Sequence, residues 1–139
     1  MPGIGLLPLQ TVAGSQRMIG DVLLECELEP GWKETLAGFE NHAGRTILDP
    51  GAEPLGRVVA GFGNDGESGY EGCRLGRAIG TYLHGPLLPR NPWLADWLLA
   101  QAIAHRSGDL PAFEPLPDEL ETQAHAVSAR RAETRGGRF

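Results

Sequence analysis

Up to Leu83 the apolar positions of this chain come in short runs broken by glycine and proline; from Asn91 onward they fall at helical intervals. Short β-branched or alternating runs between turn signals read as strands. Residues 21–28 (DVLLECEL) are acidic at the edges and apolar at the centre, and Pro30-Gly31 then marks a turn. Residues 36–40 form a short strand running into a glycine-flanked turn over 41–44, which carries His42. A loop at 49–51 (DPG) follows. Residues 57–62 (RVVAGF) are a strand, and 63–72 a glycine-rich loop. Residues 77–83 (RAIGTYL) are the next strand and deliver His84 to its end. Nothing between Asp21 and Leu83 supplies the long crossover helix that parallel strands require, so this stretch should include antiparallel pairs and hairpins.

The period changes at Asn91-Pro92, an N-cap residue with proline at the first helical position. Trp93, Leu94, Trp97, Leu98 and Ile103 form one apolar helical face, and Ser107-Gly108 stops the helix just after His105 and Arg106. Residues 107–139 read as a linker followed by a terminal helix or a disordered tail. Asp118 and Glu121 make a cap-like pair, and Arg130 and Arg131 suit the negative end of a helix dipole. The stripe of Leu120, Ala124 and Val127 is thin, which predicts loose docking. Strands followed by a tryptophan-faced helix predict the closing half of an α/β sheet, a partial domain over 1–106. The apolar opening at Gly3–Leu7 has no polar lead-in, and from it a missing upstream part is expected.

At 139 residues and 41% apolar content the chain fits one domain with a real core, and twenty glycines and eleven prolines imply many turns. Its formal charge of −6, with no basic stripe, argues against a nucleic-acid partner. No apolar run approaches the ~20 residues needed to span a bilayer, and the N-terminus lacks the charge and length of a signal peptide. A cytoplasmic protein with no direct membrane insertion is expected. Cys26 and Cys73 do not make a disulfide framework.

Residues 61–66 (GFGNDG) match G-x-G-x-x-G letter for letter. A dinucleotide site needs that loop to open a helix, and an acidic residue about twenty positions on. Residues 67–72 (ESGYEG) are too rich in glycine for such a helix, and the acidic residue is absent, so the match reads as a hairpin loop. Cys26, Cys73, His42, His84, His105 and His125 show neither C-x-x-C nor H-x-x-x-H spacing, and no metal is expected. Cys26 reads as a small buried hydrophobe, and Cys73 as structural because no helix N-terminus is near to lower its pKa. His84 ends a strand just before a helix, where backbone is held and the ring is free to act as a general base. The residues alone leave open whether it does so or is hydrogen-bonded into its turn. For His42 an active-site role and a structural one both stand, with the structural one favoured.

Residues 38–46 (GFENHAGRT) and 80–92 (GTYLHGPLLPRNP) resemble the cobyric-acid-synthase-type class I glutamine amidotransferases. Within that group they are most similar to the glutamine amidotransferase subunits of lipid II isoglutaminyl synthases. Residues 39–45 (FENHAGR) are the more specific signal for those subunits; 82–85 (YLHG) is shared across the wider group. The resemblance takes in 2–7 (PGIGLL) and 16–21 (QRMIGD) and extends to about Arg106. It implies the C-terminal portion of a class I amidotransferase domain, an α/β fold with a mixed sheet and a C-terminal helix. It also implies amide hydrolysis by a cysteine nucleophile, with a histidine shuttling the proton and ammonia passing to a partner. By motif position His84 corresponds to the catalytic histidine and Arg17 to an arginine that holds glutamine. A guanidinium suits the α-carboxylate because it can bond both oxygens at once. The implied partner is a Mur-ligase-like subunit that binds ATP and activates the glutamate of the lipid II stem peptide, which becomes isoglutamine. No cofactor is expected in this chain itself.

Two departures qualify the match. The family's cysteine lies on a Cys-Gly-Gly-Tyr-Gln elbow upstream of the PGIGL motif, and neither Cys26 nor Cys73 aligns with it, so the chain is expected to be inactive alone. Pro86 stands where many class I amidotransferases carry a glutamate; the resemblance implies that the partner ligase supplies this third group instead. The alternatives are a non-catalytic module that binds glutamine or docks on the ligase, a sheet completed by a separate polypeptide, and a cobyrinate-type amidotransferase fragment.

Overall fold

Apolar residues occupy both faces of one long strand, and the other elements are arranged to cover it. In the computed structural model, which describes residues 3–135, that strand is β1 (Leu9–Glu29). It turns at Pro30-Gly31 into β2 (Trp32–Leu48), and β3 (Gly56–Ala60) and β4 (Tyr70–Glu71) complete a sheet of order β2-β1-β3-β4. β5 (Cys73–Leu75) and β6 (Ala78–Gly80) form a second, two-stranded sheet. The helices α1 (Leu87–Arg90), α2 (Pro92–Ser107) and α3 (Glu119–Arg135) follow. The expected α/β class holds, and the strand pairs are antiparallel, as is required where crossover helices are lacking.

Successive strand residues face opposite sides. Val22, Leu24, Cys26 and Leu28 share one side with Leu36, Leu83 and Leu94, and Trp93 and Trp97 of α2 close that core. Leu23 faces the other side and packs with Ala37 and Ala132 of α3. This two-sided cover explains why residues 21–24 are buried as an unbroken run rather than alternately.

The strands outrun their apolar signals. β1 begins at Leu9, but most of residues 9–17 are exposed, so no apolar run betrays them. β2 continues to Leu48, so residues 41–44 are strand and not the expected turn. Pairing with β1 through Met18↔His42 and Ala13↔Gly44 holds them extended, and ladder hydrogen bonds override the local preference of asparagine and glycine. Between those pairs, residues 14–17 of β1 bulge against the single residue Ala43. Pro2 of the PGIGLL motif lies outside the described residues.

α2 occupies nearly its expected span, closed by Gly108 in the left-handed region (φ 89°). Leu98 and Ile103, expected on its apolar face, remain 37% and 40% exposed because the packed stripe is Trp93, Leu94 and Trp97. α3 is anchored more firmly than its thin stripe predicts. Small residues let it approach the sheet, and two polar contacts fasten it: Arg131 Nη2 lies 3.2 Å from Asp21 Oδ2, and the Thr35 hydroxyl lies 2.9 Å from His125 Nε2. Nδ1 of His125 is 3.0 Å from the Arg90 carbonyl, which can only accept, so Nδ1 carries the proton and Nε2 accepts from Thr35.

Asn91 departs from its expected capping role. Its side chain makes no cap hydrogen bond; fully buried, it reaches β2 instead. Oδ1 accepts the Ala37 N–H at 2.9 Å, and Nδ2 donates to the carbonyls of Ala37 at 3.0 Å and Leu87 at 2.7 Å. It thus satisfies the outward-facing backbone of β2 beside the start of α2. Asn91→Ala should lower the unfolding free energy by about 2–4 kcal/mol, because buried amide and carbonyl groups lose their partners. Denaturant unfolding checks this; a loss below about 1 kcal/mol, as for an exposed cap, would refute the role.

Candidate active site

The candidate residues meet on β2. After Gly80 the chain leaves regular strand and returns beside β2, where the His84 N–H donates to the Phe39 carbonyl at 2.6 Å. Gly38 permits this approach, since a Cβ there would stand 2.6 Å from Cδ2 of Leu83. His84 is exposed, so its backbone is anchored while its ring stays accessible.

Arg17 reaches the same stretch from the other side. It sits in the β1 bulge, exposed, and its Nε donates to Asn41 Oδ1 at 2.5 Å. Arg45 braces the bulge by donating from Nη2 to the Gln16 carbonyl at 3.0 Å. Phe39 and Asn41 are two positions apart on one strand, hence about 7 Å. The fold therefore carries a histidine and a guanidinium, 67 positions apart in sequence, to neighbouring points of β2.

His42 belongs to β2 and lies between them in sequence position but not in exposure. It is buried and stacks face to face on Tyr82, with ring centroids 3.6 Å apart and planes at 2°. Its Nδ1 is 3.0 Å from the Gly44 carbonyl and so bears the proton, leaving Nε2 without a hydrogen-bond partner. Burial lowers its pKa below the ordinary 6.5, opposed by the Gly44 bond and reinforced by the charges of Arg45 and His84. The 3.7 Å approach of Nε2 to Glu40 is accordingly a contact of a neutral imidazole, not an ion pair. Tyr82 extends the cluster: its hydroxyl is 2.7 Å from that of Thr46, which is 2.9 Å from that of Thr11.

Two buried carboxylates, neither singled out in the sequence, hold the loops around this cluster. Glu40 accepts the N–H groups of Phe62 at 2.6 Å and Gly63 at 2.9 Å. The G-x-G-x-x-G stretch is thus a loop between β3 and β4, as expected, and the anion its amides bind is the protein's own carboxylate. Gly61 takes φ +113° there, and a Cβ would stand 2.8 Å from Val22 Cγ2. Burial raises the Glu40 pKa despite both amides. Glu71, fully buried, accepts the Tyr82 N–H at 2.7 Å and lies 3.0 and 2.9 Å from the Thr81 hydroxyl; that hydroxyl accepts the Leu83 N–H at 3.0 Å. No spacing in the sequence signals either of them.

Such a site can exchange protons through His84 and hold an anion with Arg17. It holds no usable thiol. Cys26 and Cys73 are both buried; burial pushes the Cys26 thiol up to about 12 and raises that of Cys73 as well.

Residues 1–92 match the family model of the CobB/CobQ-like glutamine amidotransferase domain. A lipid II isoglutaminyl synthase (glutamine-hydrolyzing) subunit GatD from Staphylococcus aureus is 41% identical over 134 residues, which is 95% of this chain and 51% of that protein. The subunit of the same name from Streptococcus pneumoniae is 40% identical over 118 residues, 82% of this chain and 44% of that one. A cobyric acid synthase from a Synechococcus species is 38% identical over 100 residues, covering 69% of this chain and 18% of its own length. The chain spans about half the length of the two subunits it matches.

Burial pushes the Glu71 pKa up from 4.5 to about 7, with Glu40 adding to the rise and the Tyr82, Thr81 and Gly72 bonds opposing it. The folded state therefore keeps a proton that the unfolded chain has released. Stability contributed by the neutral carboxyl is full below about pH 4.5 and is lost as the pH rises through about 7. Glu71→Gln stays neutral throughout. Its unfolding free energy relative to wild type should rise between about pH 5 and about pH 8 by roughly 1–3 kcal/mol, tenfold in proton affinity being about 1.4 kcal/mol. A difference that stays flat with pH would contradict the assignment.

Proposed function

This chain belongs to the CobB/CobQ-like glutamine amidotransferase family, and from that premise we propose that it is part of the glutamine-hydrolysing subunit of a lipid II isoglutaminyl synthase. The subunit releases ammonia from glutamine in the cytoplasm. A Mur-ligase-like partner with ATP activates the stem-peptide glutamate carboxylate of lipid II, and ammonia converts it to isoglutamine. The isoglutaminyl reading is favoured over the cobyric acid reading by higher identity, 41% against 34% over the same 95% of the chain.

The observation that supports this reading is that the His84 backbone bonds Phe39 and the Arg17 guanidinium bonds Asn41, two positions apart on β2. In this reading Arg17 holds the glutamine α-carboxylate. A cysteine thiolate supplied from outside these 139 residues attacks the side-chain amide carbon, which becomes a tetrahedral oxyanion. His84 gives a proton to the departing nitrogen, ammonia leaves, and a thioester remains. Water then adds to the thioester with His84 taking its proton, the carbon–sulfur bond breaks, glutamate is released and the thiol is regenerated. His42, neutral and stacked on Tyr82, shapes the wall beside the base rather than acting as a second one. No helix among the described residues is long and apolar enough to cross a membrane, which fits an enzyme that meets lipid II from the aqueous side.

Glutamine added to these 139 residues alone should yield no ammonia, whereas a reconstituted enzyme with the thiol-bearing part and the ligase should turn it over. In that enzyme His84→Ala should cut the rate by roughly 10²–10⁴-fold. Arg17→Ala should raise the glutamine KM about 10–100-fold, as loss of a charge-assisted bond would. An ammonia-release assay decides each point. Turnover by the chain alone, or an active His84→Ala enzyme, would sink the reading; glutamine binding without turnover in the assembled enzyme would favour the binding-module alternative.

A further inference from the structure

The segment that delivers His84 has no strand ladder of its own, since β6 ends at Gly80. Its backbone donors at residues 82–84 are nevertheless all used. The Tyr82 N–H goes to the Glu71 carboxylate at 2.7 Å, the Leu83 N–H to the Thr81 hydroxyl at 3.0 Å, and the His84 N–H to Phe39 at 2.6 Å. The Thr81 hydroxyl donates its proton to Glu71 while its oxygen accepts from Leu83, so the carboxylate fixes the orientation of the group that Leu83 bonds. One fully buried carboxyl group thus organises three residues in a row. The same residues seat Tyr82 against His42 and Leu83 against Gly38.

We propose that Glu71 is the positioning residue of His84, acting through Thr81 and Tyr82, so that the placement of the histidine follows the ionisation of Glu71. Ionised, Glu71 draws the Thr81 hydroxyl and the Tyr82 amide in as charge-assisted bonds and fixes the segment against β2. Protonated, it keeps one carbonyl acceptor, and its own hydroxyl competes for Thr81, so the grip on residues 81–83 loosens. Two ionisable groups on other strands of the sheet act on Glu71 or are acted on by it. Glu40 on β2 opposes its ionisation, and Cys26 on β1 remains a neutral thiol. Arg74, three residues on, is turned away to Glu53 at 2.9 Å and the Leu28 carbonyl at 3.0 Å. No cation offsets the buried charge within its hydrogen-bond partners, and its titration falls in the neutral range. Burial therefore moves the titration of this carboxyl group up to about 7, where a modest change of pH alters its charge.

The inference rests on the proposed role of His84, but its coupling to Glu71 can be read without activity. The experiment is a pH titration of the full chain by NMR, following the backbone amides of Tyr82, Leu83 and His84 and the His84 ring. Glu71→Gln, which stands in for the protonated form, and Thr81→Val, which cuts the relay but leaves the carboxyl group, are compared with wild type. The wild-type amides should show an inflection near pH 7 that disappears from all three in Glu71→Gln. Their hydrogen-exchange protection should fall about tenfold or more in both variants relative to core amides such as Leu24, which report global stability, while the His125 ring is unchanged. A merely structural role would move the amides of 82–84 only in step with the core amides; that pattern, or no change at 82–84, overturns the proposal. In the reconstituted amidotransferase, Glu71→Gln should lower kcat and flatten its pH dependence near neutrality with little change in glutamine KM. If the amides respond as expected but His84→Ala leaves ammonia release intact, Glu71 still positions His84 and the catalytic reading of His84 is what fails.

Discussion

The structure depends on the close approach of residues 83 and 84 to β2. It is possible because Gly38 has no side chain, and it is held because a buried glutamate takes the Tyr82 N–H and the Thr81 hydroxyl just before it. Leu83 thereby enters the main core with Leu24, Leu36 and Leu94, while His84, one residue later, stays outside it. The alternation of a strand is reproduced by a segment that is not one. An apolar side chain fixes the position, and the polar neighbour is presented at the rim.

The same logic recurs across the fold. Buried polar side chains do the joining wherever regular hydrogen bonding stops. Asn91 fastens the start of α2 to the backbone of Ala37, Glu40 gathers the glycine loop after β3, and Asn64 pairs with the backbone of Gly72 in both directions at 2.9 and 3.0 Å. Each replaces missing ladder bonds with side-chain bonds that are almost completely dehydrated, which makes each costly to remove. Such joints specify one geometry more narrowly than apolar packing does.

Much of this was legible in the sequence, and what was not has identifiable causes. Helix α2 declared itself through Asn91-Pro92 and Gly108, and residues 21–28 through their apolar run. The long ends of β1 and β2 did not, because strand pairing between exposed residues leaves no periodicity to read. His42 looked like a turn residue because asparagine and glycine flank it; only its partner Met18 shows it to be strand. His84 and Arg17 were found through their motifs, and the fold brings both to β2. Glu40 and Glu71 were invisible for a physical reason: burial of a carboxylate depends on which backbone amides the fold turns toward it, and sequence spacing carries no trace of that.

The central claim is that β2 presents His84 and Arg17 to opposite ends of one glutamine. The most direct test is a crystal structure of the assembled enzyme trapped as its glutamyl thioester. The account predicts a His84 ring nitrogen about 3 Å from the reacting centre, the distance a proton transfer requires, with the Arg17 guanidinium on the α-carboxylate. A thioester whose nearest base is another residue, or whose carboxylate lies away from Arg17, would contradict it.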